Sequence, residues 1–161
     1  MILNNNLNND APDIETSSDE YATRFSGKIG NYFLGVQEKI TLDLLTSCPG
    51  AHVLDVGGGH AQIAEPLIKN GYNVTVTGSS EICRRRLVKK LHTDSFQFKV
   101  CPILSLPFED KSFDVVVAFR LLPHVEAWKA LLSEMCRVSK RFVLIDYPGT
   151  RSFNILTKQF Y

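Results

Sequence analysis

The segment Val53-Leu54-Asp55-Val56-Gly57-Gly58-Gly59-His60-Ala61 carries the sharpest chemical signal in the chain: an apolar, β-branched run with an acid inside it, then three glycines and a histidine. Residues without a Cβ let the backbone approach a bound molecule closely. A strand that runs into such a turn and then into a helix presents it at the strand's carboxyl end. The acid lies two residues before the first glycine. Gln62 stands where a dinucleotide fingerprint needs Gly or Ala, so the turn suits a ligand other than a pyrophosphate. Further along, Arg120 and His124 follow a second apolar run. An arginine there can anchor an acidic group or pair with a local carboxylate, and a histidine, with a pKa of about 6.5, can take a proton or line a cavity. Arg84, Arg85 and Arg86 allow two readings: a receptor for the 2′-phosphate of NADP, or a solvated helical face, because consecutive helical residues point in different directions.

These residues need a scaffold, and hydrophobic periodicity supplies its outline. Phe33, Val36, Ile40 and Leu44 recur at three- and four-residue steps, which predicts a helix within 21–46 with those side chains on one face. Strands are expected at 52–56, 73–77, 96–101, 113–119 and 142–146. Between them lie helices that turn Ile63, Leu67 and Ile68, then Cys83, Leu87 and Leu91, then Val125, Trp128, Leu131, Leu132 and Met135 inward, and another helix starts near Arg151. The run at 113–119 is apolar on both faces, as in a central parallel strand with helices on both sides. The alternation predicts an α/β, Rossmann-like, doubly wound, mostly parallel sheet of about five strands.

Composition narrows the function classes. With 161 residues, 44% hydrophobic and 22% charged, the chain can bury one sizeable core. A net charge of +1 gives no basic footprint for nucleic acid or an anionic membrane, so a small-molecule partner is expected. Cys48, Cys83, Cys101 and Cys136 lack metal-ligand spacing and read as reduced thiols of a cytoplasmic protein. The first residues have neither the basic nor the apolar region of a signal peptide, and no apolar run approaches the roughly 18 residues of a membrane span. Residues 1–18, rich in Asn, Asp and Ser, read as a mobile tail, and 19–161 as the folded core.

Four ordered blocks resemble the type 11 class I methyltransferases: 53–61, 106–116, 119–125 (Phe119-Arg120-Leu121-Leu122-Pro123-His124-Val125) and 134–138 (Glu134-Met135-Cys136-Arg137-Val138). The resemblance covers roughly residues 50–148 and implies strand order 3-2-1-4-5 and S-adenosylmethionine as cofactor. It places Asp55, Gly57, Gly58, Gly59 and His60 around the methionine end. Ribose and adenine fall to residues after the second and third strands, here Gly78, Ser79 and Ser80, and Pro102, Ile103 and Leu104. Phe119 lies beside the cofactor, and Arg120 and His124 face cofactor and acceptor. The N-terminal segment with Tyr21, Arg24, Phe25, Tyr32 and Phe33 corresponds to a lid over the cofactor, although aromatic residues at near-helical spacing also read as simple packing.

The chain departs from that pattern in two places. The acid usual at the end of the second strand is absent from Val76-Thr77-Gly78-Ser79-Ser80, and Pro102 stands where an acid meets adenine. Neutral hydrogen bonds are about half as strong as charge-assisted ones, so weaker cofactor binding is expected. The terminal antiparallel strand pair of such sheets is missing too, so a longer gene product, the last helix or a second subunit in a homodimer would cover the edge. The alternatives to a small-molecule methyltransferase are a non-catalytic ligand-binding or interaction module of the same fold and an NADP-binding oxidoreductase.

Overall fold

A computed structural model describes residues 11–147. Five parallel strands, β1 (His52–Val56), β2 (Asn73–Gly78), β3 (Gln97–Val100), β4 (Phe113–Ala118) and β5 (Ser139–Ile145), form one sheet in the order β3-β2-β1-β4-β5. The fold class and strand order expected from the sequence are those observed. Val53 pairs with Val74 on one side and Val115 on the other, so β1 is central. After β2 and β3 the chain returns to the opposite flank of β1. The carboxyl ends of β1 and β4 therefore frame the crevice where open α/β sheets bind ligands.

The two-residue period of the strands divides their side chains between two cores. Val53, Val115 and Val117 face a cluster containing Leu45 of α3 (Gly27–Leu45), Leu67 of α4 (Ala64–Lys69) and Leu87 of α5 (Arg85–Lys90). Leu54, Val56, Val116 and Ala118 face Leu131, Met135 and Val138 of α6 (Trp128–Val138), together with Ile103 and Leu106. Strands apolar on both faces thus find helices on both.

The loop between β3 and β4 is clamped by α6. The Leu106 N–H donates to Glu134 Oε2 at 2.9 Å, and the Arg137 guanidinium donates to the carbonyls of Leu106 (2.9 Å) and Phe108 (2.8 Å) and to Asp110 Oδ1 (2.8 Å). Two of the motif blocks, distant in sequence, are therefore one polar knot.

Three expectations need correction. Within the supposed tail, α1 (Asp13–Thr16) is helical and buries Asp13, Thr16 and Ser17, and α2 (Asp19–Thr23) follows it; polar composition did not foretell order, because the segment is held by the core rather than by its own apolar side chains. Phe33, Ile40 and Leu44 share a helical face of α3 as expected; that face is exposed, while Gly30, Thr41 and Leu45 are buried, so periodicity identifies a common face and not its direction. Trp128 is exposed at the first turn of α6, beside Lys129, rather than in the core. Val125 precedes α6, following a 3₁₀ turn at Leu122–His124. Residues 1–10 and the helix expected near Arg151 lie outside the described residues.

Leu131 is fully buried against both β1 and β4 partners. Leu131→Ala should lower the unfolding free energy by about 2–5 kcal/mol, read from urea titration with an unchanged m-value; a loss below about 1 kcal/mol would contradict the packing of α6 on this face.

Candidate functional site

The turn after β1 places Asp55 and its glycines in mutual dependence. Asp55 is fully buried in β1, and both carboxylate oxygens lack a hydrogen-bond partner. Gly58 packs so closely on that carboxylate that any Cβ would overlap it. Gly57 has φ +68°, in the left-handed region that favours glycine, and a side chain there would begin 2.9 Å from Leu121 and 3.2 Å from the Asp13 Cβ. The segment Gly58–His60 forms a 3₁₀ turn rather than the first turn of a helix. His60 is buried; its Nδ1 accepts from the Gln62 N–H at 3.3 Å, and its Nε2 is unpaired. Burial first, and the positive Arg120 second, hold His60 well below its ordinary pKa, so it is neutral.

Arg120 follows β4 with φ +57°, a backbone state uncommon for a non-glycine residue and enriched at functional sites. Its N–H donates to Asp146 Oδ1 at 2.5 Å, and Asp146 also accepts from Gln37 Nε2 at 2.9 Å. Arg120 is 8% exposed, and Nε, Nη1 and Nη2 have no hydrogen-bond partner. The guanidinium instead lies 4.6 Å from the Phe25 ring centre and 5.9 Å from that of Tyr21. Burial lowers the Arg120 pKa and raises that of Asp55 to about 7, while each opposes the other's shift electrostatically. An acid and a guanidinium thus sit buried beside the glycine turn without hydrogen-bond partners, a costly arrangement that a ligand of matching charge would relieve.

At the end of β2, Gly78 is buried and Ser80 caps the following turn, accepting from the Ile82 N–H at 3.4 Å. Ser79 donates its N–H and its hydroxyl to the Asp13 carboxylate at 2.6 and 2.7 Å. The β2 terminus therefore does hold an acid, delivered from the N-terminal helix. Asp13, Ser17 and Asp146 join the site although sequence reasoning missed them. Asp146 alone had a readable signal, an acid ending an apolar strand; Asp13 lies in a segment without periodicity.

Residues 54–142 match the methyltransferase domain family. The chain belongs to that family. An O-methyltransferase of Pyrenophora dematioidea is 29% identical over 123 residues, covering 71% of this chain and 43% of the relative. The ubiquinone/menaquinone biosynthesis C-methyltransferase UbiE of Brucella canis is 38% identical over 112 residues, covering 62% and 40%. The chain thus spans about two fifths of the length of these curated relatives. The magnesium protoporphyrin IX methyltransferase ChlM of Synechocystis PCC 6803, solved with bound SAM, superposes with a TM-score of 0.73 at 18% identity, covering 94% of this chain and 81% of ChlM, a likeness of fold.

Within the methyltransferase domain, the remaining candidate residues divide. Phe119 is buried in the core beneath the crevice. Ile103 is fully buried in the opposite core with Leu104 packed against that cluster, while Pro102 is exposed. His124 is exposed and meets the Tyr21 ring edge-on at 6.2 Å. Arg86 is paired with Asp19 at 2.7 Å and Arg85 is exposed, so the three arginines form no common phosphate receptor. Cys48, Cys83 and Cys101 are buried free thiols and Cys136 is an exposed one. No helix among the described residues is long and apolar enough to cross a membrane.

The raised pKa of Asp55 predicts a pH dependence. Between 3.8 and about 7 the unfolded chain releases the Asp55 proton while the folded chain keeps it, so this group lowers folding stability as pH rises through that window. Asp55→Asn should melt above the parent chain by a wider margin at pH 8 than at pH 5. An equal difference at both values would show that Asp55 does not titrate in this window.

Proposed function

We propose that this domain binds S-adenosylmethionine and transfers its methyl group to a small-molecule acceptor. The observation that carries the reading is the buried pair of unpartnered opposite charges at the glycine turn, Asp55 and Arg120. The methionine end of the cofactor bears an ammonium and a carboxylate, and these are the charges Asp55 and Arg120 lack. An arriving ammonium would draw Asp55, poised at about 7, into its ionised form. When bound, the cofactor supplies an electrophilic methyl on a sulfonium.

The chain's part is orientation and exclusion of water, which provide much of the rate for a transfer that needs the acceptor in line with the methyl group. Tyr21 and Phe25 cover Arg120 and keep the crevice dry. His124, exposed beside Tyr21, is assigned to take the proton of an acceptor that must lose one. The names of the O- and C-methyltransferase relatives support an oxygen or carbon acceptor.

A second reading, a non-catalytic module of the same fold, is favoured by one observation: the glycine turn is buried by the chain's own N-terminal residues. Calorimetric titration separates the two. Saturable S-adenosylmethionine binding that Asp55→Ala weakens at least tenfold is expected, and no heat at millimolar cofactor would favour the module. With a turned-over acceptor in hand, His124→Ala should lower kcat by about 100-fold; unchanged turnover would remove the base role.

A further inference from the structure

The crevice at the carboxyl ends of β1 and β2 has an occupant, and it is part of this chain. Gly57, Gly58, Gly59 and His60 are all buried. Their cover is specific: the Asp13 Cβ lies 3.2 Å from where a side chain on Gly57 would begin, and a side chain on Gly59 would run into Ser17 Oγ. Glycines whose absent Cβ atoms suit close approach of a ligand are approached by α1 instead.

Asp13 makes the bond that holds this cover. Its carboxylate, with no exposed surface, takes the Ser79 N–H at 2.6 Å and the Ser79 hydroxyl at 2.7 Å. The end of the second strand is where open α/β sheets receive the ribose of a nucleoside. The Cys83 thiol also donates to Asp13 Oδ2 at 3.5 Å, and the remaining ion pairs are at the surface. Asp19 pairs with Arg86 (2.7 Å) and Lys89 (2.9 Å) through a solvent-exposed carboxylate, and such pairs contribute little. Four residues cannot sustain a helix without tertiary support. The buried Asp13 carboxylate, shared by Ser79 and the Cys83 thiol, is therefore the main polar anchor of α1.

We propose that α1 is a displaceable self-ligand of the cofactor crevice: Asp13 occupies the ribose seat at Ser79 and must leave it before S-adenosylmethionine can reach the glycine turn. The proposal rests on the cofactor reading above, and adds that the chain competes with its own cofactor. Apparent affinity is then the intrinsic affinity reduced by the fraction of molecules with α1 displaced. Carboxylate and ribose hydroxyls contend for the same two donors of Ser79.

Two measurements on the full chain test this. Hydrogen exchange reads the cover without any cofactor: Asp13→Ala should speed exchange of the amides at 58–61 and 79 about tenfold, leaving the strand amides of β4 unchanged. Calorimetry with S-adenosylmethionine should show Asp13→Ala binding at least fivefold more tightly than the parent chain. Asp13→Asn, which keeps a carbonyl acceptor for Ser79, should shift both readouts in the same direction and serves if Asp13→Ala does not fold. Unchanged exchange at 58–61 would overturn the self-ligand. Faster exchange with weaker binding would overturn it too, making Asp13 a receptor for the cofactor rather than its competitor. Faster exchange with no binding by parent or variants would overturn the cofactor reading itself.

Discussion

An aspartate inside a strand that is buried on both faces organises this molecule. Asp55 could be accommodated in the centre of the sheet only at the strand's carboxyl end, where the ladder gives way to a turn. Its carboxylate fills the space that a side chain on Gly58 would need, and the left-handed Gly57 reverses the chain just above it. Arg120, emerging from β4 next to β1, supplies the opposing charge, but its guanidinium makes no hydrogen bond to a protein group. A buried charge without partners is among the most expensive features a fold can carry. Its retention beside a crevice is more simply understood as a ligand contact than as a source of stability.

Everything else serves to hold that crevice. The alternating side chains of β1 and β4 feed two separate cores, so the strand ends are fixed from both sides. Arg120 is held by its backbone, through Asp146 at the end of β5, which leaves the guanidinium free for other contacts. The Glu134–Arg137 knot secures the loop from Leu106 to Asp110 on the far face without touching the crevice.

The N-terminal residues belong to the site as much as to the fold. Tyr21 and Phe25 lie against the Arg120 guanidinium, and Asp13 and Ser17 lie over the glycine turn. The segment matching the family begins at residue 54, so these contacts come from outside it. The charge missing from the β2 terminus is present in space although absent from the strand.

What the sequence determined was local and periodic. Two-residue alternation identified strands with two apolar faces, three- and four-residue steps identified helices, and together they required a parallel, doubly wound sheet; the glycine run after Asp55 marked the crevice because a missing Cβ is visible in the letters themselves. Tertiary structure decided the rest. Ser79 and Asp13 lie 66 positions apart, and no local pattern announces a carboxylate that folds back across that span. The direction of the α3 apolar face, outward at Phe33, Ile40 and Leu44, and the exposure of Trp128 depend on which elements arrive beside them. Periodicity assigns side chains to a common face of an element, whereas burial and charge pairing are settled only when the elements meet.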